Sequence, residues 1–131
     1  MIAPKSSKIL FYTGTILLTA LMLFSAGMYF FKHDMVAKMF ESYGYAAQWV
    51  YPLAVLKILG LIAIWTRKVN FLTYAAYLGF GIDFMLAFAA HASKGESVAF
   101  PIAAIVFLLV SFMGLQLMKA GNNLTGKTAK I

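Results

Sequence analysis

The sequence contains no cysteine and little charge or proline. The absence of cysteine from its 131 residues excludes disulfides, thiolate catalysis, Cys-ligated zinc and iron–sulfur clusters. Charged residues make up only 11 % of the chain and prolines number three, whereas 63 % of the residues are apolar and the mean hydropathy is +0.84. A globule of this length could not bury so much apolar surface, so a water-soluble domain is excluded. The length allows a single domain.

Four long apolar segments account for most of the chain. Each has about 20 residues, enough to cross a hydrocarbon core of about 30 Å as an α-helix. Backbone groups in lipid must be satisfied within their own segment, and no alternation of polar and apolar residues favours strands. The first segment is longer than the apolar core of a signal peptide, which favours a retained helix. We therefore predict an all-α, single integral membrane domain with spans at about 9–31, 47–66, 70–91 and 98–118 and a flexible tail, 119–131.

The connections and the charges predict the topology. Short loops make neighbouring spans antiparallel, which gives an up-down-up-down four-helix bundle. On one side of such a chain lie Lys5, Lys8, Arg67, Lys68, Lys119, Lys127 and Lys130, and on the other only Lys32, Lys38 and Lys94. The more basic side is expected to be cytoplasmic. Both termini then lie on the cytoplasmic side of the cytoplasmic membrane. No basic patch is interleaved with aromatic residues, so we expect no nucleic-acid partner.

A short amphipathic helix is predicted between the first two spans, over residues 34–43. Its apolar face contains Met35, Val36, Met39, Phe40 and Tyr43. Asp34 is expected to cap its start, and Gly44 to end it. An amphipathic segment of this kind lies on the membrane surface. Its apolar face then either rests in lipid as a connector or covers a pocket among the spans.

Two opposite charges inside the spans are the most informative residues. Lys57 lies ten residues after Ala47, about 15 Å deep, and Asp83 lies eight residues before His91, about 12 Å deep. A lone charge at mid-span costs about 2.5–3.5 kcal/mol, so a partner is expected. The matched depths predict an ion pair that faces the bundle interior. The pair is either part of a ligand or proton site or a staple that fixes helix register.

Further polar residues extend this candidate site. His91 ends the third span, and hydroxyls on the more polar faces of the first and fourth spans include Tyr12, Thr19 and Ser111. We predict a pocket lined by these residues with Lys57 and Asp83. The alternative is that His91 is an interfacial residue and that the hydroxyls bond across helices. The two histidines lack carboxylates at ligand spacing, so no metal site is expected.

Small residues and one proline predict how the spans pack. A stripe on the third span contains Ala76, Gly79, Asp83, Ala87 and Ala90, the pattern of a close helix interface, whereas Phe84 lies off the stripe, where either lipid or aromatic packing suits it. Gly60 is expected to admit a partner backbone beside the Lys57 stem. Pro52 is expected to kink the second span against the carbonyl of Gln48.

The residues together resemble the DoxX-like family of small four-span membrane proteins. The resemblance covers about residues 8–118 and rests on the runs Leu23–Phe30, Phe40–Tyr45, Tyr51–Leu53, Lys57–Gly60 and Leu86–His91. The family-type positions are Gly27, Gly44, Pro52, Lys57, Gly60 and His91. The resemblance implies a four-helix membrane bundle.

The resemblance also bears on function. The family name suggests quinone-dependent oxidation, some relatives are associated with redox-stress complexes, and distant animal relatives resemble membrane chaperones. Fold does not fix function. Our leading hypothesis is a non-enzymatic accessory, scaffold or assembly factor with an intramembrane polar site for a small amphiphile, such as a lipid. It would act through a membrane partner protein or as a homo-oligomer. The alternative is the membrane subunit of a quinone-linked redox complex, with the quinone at Lys57 and His91.

Overall fold

The computed structural model describes the backbone of residues 4–130 and the side chains of residues 5–120, and this part of the chain is helical without strands. A 3₁₀ turn at Ala47–Trp49 precedes the third helix. The helices are α1 (Pro4–Phe31), α2 (His33–Ser42), α3 (Val50–Thr66), α4 (Asn70–Ser93) and α5 (Ala99–Lys130). The predicted all-α class is confirmed.

Four stretches are long and apolar enough to cross a membrane: Lys5–Phe31, Ala47–Thr66, Asn70–Ser93 and Ala99–Ala120. Their bounds agree with those of the predicted spans to within a few residues. The first span begins at Lys5 and not at about residue 9. The helix α5 does not end at residue 118 but continues to Lys130. The side chains of residues 121–131 lie outside the described part, so the flexible tail stays a prediction.

The four long helices form a closed ring. Each of α1 and α4 packs on both α3 and α5. Contacts run in opposite directions along α1 and α3: Ser25, late in α1, bonds Lys57, early in α3, whereas the earlier Thr19 bonds Trp65 near the end of α3. This opposite order is the one expected of antiparallel neighbours. The outward faces are apolar, with Phe24, Phe71 and Leu78 more than 60 % exposed, as expected of helices that face lipid.

The closest approach in the ring is between α1 and α5, and two glycines permit it. A Cβ on Gly14 would lie 2.5 Å from the amide nitrogen of Ser111, and a Cβ on Gly114 would overlap the backbone of Phe11. Small residues at such a crossing let two helix backbones meet. Neither glycine was predicted to be a point of backbone contact.

The helix α2 ends as expected, but it begins differently. Asp34 is the second residue of the helix, not its cap; Lys32 precedes it without a side-chain cap bond. At the other end, Gly44 adopts φ +86°, and the amides of Gly44 and Tyr45 bond the carbonyls of Glu41 and Phe40. This is a Schellman ending, which needs a left-handed residue and explains the glycine. That α2 lies on a membrane surface stays a prediction.

Pro52 lies at the start of α3 and not inside a continuous helix, as the expected kink assumed. The helix α3 begins at Val50, so Pro52 lies in its first turn, where the missing N–H has no carbonyl to lose. The residues before it form the separate 3₁₀ turn, which completes a span of 20 residues from Ala47 to Thr66.

The interior face of α4 also differs from the predicted stripe. Phe84, off the stripe, is 3 % exposed and packs in the core, while Gly79 of the stripe is exposed. Gly60 receives a side chain and not a backbone: a Cβ there would lie 2.9 Å from the Phe80 ring. Phe80 and Phe84 stack at 5.7 Å between centroids. Large aromatic side chains therefore pack at the interface where the stripe of small residues predicted close contact between helices.

Candidate intramembrane ligand site

A cavity of about 630 Å³ lies at the end of the bundle that α2 covers. Its walls come from α1, α3, α4 and α5, and its roof comes from α2 and the Gly44–Ala46 turn. The volume falls in the range of sites that enclose a small organic ligand. Three of the predicted site residues line it: Lys57, Asp83 and His91.

Lys57 lies at the floor of this cavity and is 6 % exposed. Its Nζ donates to Ser25 Oγ at 2.7 Å and lies 3.9 Å from the centroid of the Tyr29 ring. Ser25 and Tyr29 come from α1, one turn apart, so one helix face supplies both contacts. An ammonium group in an apolar interior needs such partners, because burial removes its hydration.

Asp83 supplies the opposite charge. Its Oδ2 lies 3.8 Å from Lys57 Nζ, so the expected ion pair is present. The distance exceeds that of a hydrogen bond, and the Asp83 side chain is 25 % exposed against 7 % for Lys57. The carboxylate is therefore the more accessible member of the pair and borders the cavity.

His91 borders the same cavity and lies eight residues after Asp83 on α4. Its Nδ1 lies 2.7 Å from the carbonyl oxygen of Ala87. A carbonyl oxygen only accepts, so Nδ1 carries the proton and donates. In the neutral ring, Nε2 is then an acceptor.

Tyrosines and a tryptophan close the roof. Tyr43 donates to Glu96 Oε1 at 2.5 Å, and Tyr45 donates to the carbonyl oxygen of Leu86 at 3.1 Å. Both bonds connect the turn after α2 to α4 or to the loop that follows it. Loss of hydration, together with the hydrogen bond and negative charge of Glu96, raises the pKa of Tyr43 to about 12. Trp49 also lines the cavity and is 53 % exposed.

The structure does not bring Tyr12, Thr19 and Ser111 to this cavity. Tyr12 is 39 % exposed, with its ring 6.1 Å from that of Trp65. Thr19 donates to the carbonyl oxygen of Thr15 and accepts from Trp65 Nε1. Ser111 is fully buried and bonds Thr15 and Tyr77, each at 2.6 Å. These residues build a second polar cluster, toward the other end of the bundle.

An apolar layer lies between the two polar regions. It is formed by buried side chains of all four long helices, namely Leu18, Leu61, Phe80 and Leu108. Water and ions are excluded from such a packed layer. Within the described part of the chain, the cavity therefore ends at Lys57 and Asp83.

Of the predicted structural positions, Gly44 has a backbone role at the roof and Gly60 accommodates an aromatic ring. A Cβ on Gly27 or Gly79 would meet nothing within 4 Å. Among the described side chains, no three of His, Asp and Glu come together as metal ligands.

Sequence reasoning missed Ser25 and Trp49, and it did not link Tyr29 to Lys57. A depth comparison finds Ser25: it lies six residues before the end of α1, and Lys57 lies seven after the start of α3. With a rise of about 1.5 Å per residue, antiparallel neighbours place both at similar heights. From the sequence, Trp49 was placed only at the membrane interface. Its position at the cavity depends on the fold of the turn after α2.

The comparisons with known proteins agree with the architecture. The model of the DoxX-like family matches residues 13–113, most of the chain and all of the cavity's charged floor. No curated protein and no solved structure matches the chain. Since the match includes parts of all four long helices, the predicted resemblance is confirmed. The chain is a small integral membrane protein that belongs to the DoxX-like family.

Proposed function

We propose that this protein binds a small amphiphile in the cavity beneath α2 and acts as a non-enzymatic accessory, scaffold or assembly factor of the membrane. The observation that carries the proposal is a cavity of about 630 Å³, lined mostly by apolar side chains, with a buried ion pair at its floor. Binding sites for small organic molecules have this composition, with few polar groups that fix orientation.

The apolar layer below the cavity favours binding over transport. A carrier or proton path needs polar groups or water on both sides of the ion pair. Here the hydroxyl cluster around Ser111 is separated from Lys57 by packed side chains such as Leu18 and Phe80. A site with one closed end holds its ligand and releases it by the way it entered.

A quinone-linked role is the second candidate. It is favoured because Lys57 and His91, which come from different helices, line one cavity. A quinone carbonyl would take the place of Ser25 as the acceptor for Lys57, and His91 Nε2 could accept from a quinol hydroxyl when Nδ1 donates to the Ala87 carbonyl. In this case the protein is the membrane subunit of a redox complex whose electron-transfer centres lie in a partner protein.

We further propose a cytoplasmic membrane location with both termini inside. The support is the excess of basic residues at the start of α1 and in the α3–α4 turn, including Lys5, Lys8, Arg67 and Lys68. The cavity then faces the outer leaflet. The partner is a membrane protein or a second copy of this chain.

The experiment is an extraction of the purified full chain. One amphiphile per chain is expected by mass spectrometry of the organic extract, and Lys57→Ala should lose it. Since that variant leaves Asp83 without its cation, a cavity-filling variant, Ala87→Phe, tests the same point with the ion pair intact. Ala89→Phe is the matched control, because Ala89 is exposed on the same helix and does not line the cavity.

The outcomes separate the two candidates. A stoichiometric quinone in the extract would favour the redox role, and a lipid or another amphiphile would favour the accessory role. If the extract holds no stoichiometric amphiphile, or if Ala87→Phe and Ala89→Phe retain it equally, the proposed cavity function is wrong.

A further inference from the structure

The polar groups around the cavity differ in whether they can still form a hydrogen bond to a ligand. The Lys57 ammonium has three neighbours: it donates a hydrogen bond to Ser25 Oγ at 2.7 Å, and Asp83 Oδ2 at 3.8 Å and the Tyr29 ring at 3.9 Å attract its charge without a hydrogen bond. An ammonium has three donors and no acceptor. The charge of the site's strongest donor is thus already compensated within the protein.

The roof donors are engaged as well. Tyr43 and Tyr45 direct their hydroxyl protons to Glu96 and to the Leu86 carbonyl. The hydroxyls of Ser25 and Tyr29 can donate or accept, so they favour neither kind of ligand. Trp49 contributes one N–H at the exposed rim, away from the charged floor.

Strong acceptors remain. The Asp83 carboxylate borders the cavity, with its nearest cation at 3.8 Å, beyond hydrogen-bond distance. Nδ1 of His91 lies at hydrogen-bond distance from the Ala87 carbonyl, which only accepts, and a ring that carries its one proton on Nδ1 leaves Nε2 as an acceptor. Asp83 and His91 are eight residues apart on α4, about 12 Å along the helix axis.

Charge excludes the two ionic alternatives. Lys57 and Asp83 offset one another, so the floor has no net charge for an ionic head group to neutralise. An anion beside Lys57 would also lie beside Asp83, and a cation beside Asp83 would lie beside Lys57. In either case the attraction to one member of the pair is largely cancelled by the repulsion from the other, so little is left to offset the hydration that the ion loses on burial.

We propose that the ligand is a neutral amphiphile with a hydroxyl head group, which donates a hydrogen bond to Asp83 or His91 while its chain fills the apolar part of the cavity. This inference rests on the proposed function and specifies its ligand class. A hydrogen bond that a neutral hydroxyl donates to a carboxylate is among the stronger ones.

The test uses the tryptophan that borders the cavity as a reporter. Trp65 bonds Thr19 in the other polar cluster, so Trp65→Phe leaves Trp49 as the single tryptophan of the full chain. Three probes with one brominated chain are titrated in detergent: ω-bromododecanol, its methyl ether and ω-bromododecanoate. Bromine quenches indole fluorescence on contact, and only the alcohol can donate from a neutral head.

We expect the alcohol to bind about tenfold more tightly than the ether, the difference that one hydrogen bond to a charged acceptor makes. Asp83→Asn should remove most of that preference. If this variant does not fold, His91→Phe takes its place, with His33→Phe as the matched control because His33 lies outside the cavity lining.

Each outcome decides between the two proposals. If the ether binds as tightly as the alcohol, or the carboxylate binds most tightly, the hydroxyl class is wrong while the amphiphile site stands. If none of the three probes quenches Trp49 in a saturable way, the amphiphile site itself is contradicted. Tighter binding of the alcohol that is unchanged in both the Asp83 and His91 variants would also overturn the inference.

Discussion

Gly14 and Ser111 hold α1 and α5 at backbone contact: a Cβ on Gly14 would lie 2.5 Å from the Ser111 amide nitrogen. At this crossing, Thr15 and Ser111 also share a hydrogen bond of 2.6 Å. Close approach and hydrogen bonding thus occur at the same crossing. Helices in lipid associate in this way because no hydrophobic effect drives them together.

The first prediction concerns this crossing. Gly14→Val should separate α1 from α5 and destabilise the bundle by about 1–3 kcal/mol, the usual cost of overpacking. The measurement is unfolding in mixed micelles by titration with a denaturing detergent. Gly27→Ala is the control in the same helix, since its Cβ would meet nothing within 4 Å. Equal stability of the two variants would contradict the close contact.

The second prediction concerns the buried hydroxyl cluster. Ser111→Ala removes the shared partner of Thr15 and Tyr77, and each lost bond between membrane helices costs about 0.6 kcal/mol on average. We expect a loss of about 1–2 kcal/mol in the same unfolding assay. Ser93→Ala is the control, because its hydroxyl bonds only the local Ala90 carbonyl near the end of α4. A Ser111 variant as stable as the control would show that the cluster adds nothing.

The third prediction concerns the ion pair. Lys57→Met leaves Asp83 without its cation, and breaking a buried pair from one side costs about 3–5 kcal/mol. The double variant, Lys57→Met with Asp83→Asn, should recover part of this loss. A double-mutant cycle measures the coupling. Additive losses would mean that the two residues do not interact as the 3.8 Å distance indicates.

The fourth prediction concerns the roof. The pKa of Tyr43 is raised from 10.0 to about 12, so the folded chain holds this proton more tightly than the unfolded chain. The resulting stabilisation is present below pH 10 and is lost as the pH rises toward 12. Ultraviolet difference absorbance follows the ionisation of the phenol.

The Glu96 carboxylate accounts for two of the causes of that shift, so Glu96→Gln should lower the pKa of Tyr43 toward its ordinary value. Glu41→Gln is the control, because Glu41 is an exposed acidic residue of α2. If both variants titrate alike, the bond between Tyr43 and Glu96 does not form.

The fifth prediction concerns orientation. The chain has no cysteine, so single cysteines report topology without a background. With both termini inside, Lys94→Cys should react with a membrane-impermeant maleimide on intact cells. Lys68→Cys should react only after the membrane is opened. The reverse pattern would overturn the proposed orientation.

The sequence by itself determined the helices, the spans and the depth of the two charges. Long apolar runs without charge leave a backbone in lipid no alternative to the helix. The ion pair followed from the same reasoning, because a constant rise per residue converts sequence position into depth. The turn at Gly44 was also determined locally, by the need for a left-handed residue after α2.

Only the tertiary structure decided which helix faces meet. Helices that are apolar all round have no polar side to distinguish the inner face from the outer one, so Gly79 was assigned to the wrong side and the surroundings of Phe84 were left open. For the same reason, Ser111, Thr19 and Tyr12 were grouped with the cavity, although they lie in or near the other polar cluster. The cavity itself depends on helix rotation and on where α2 rests. Both follow from packing between segments far apart in sequence, which no local pattern encodes.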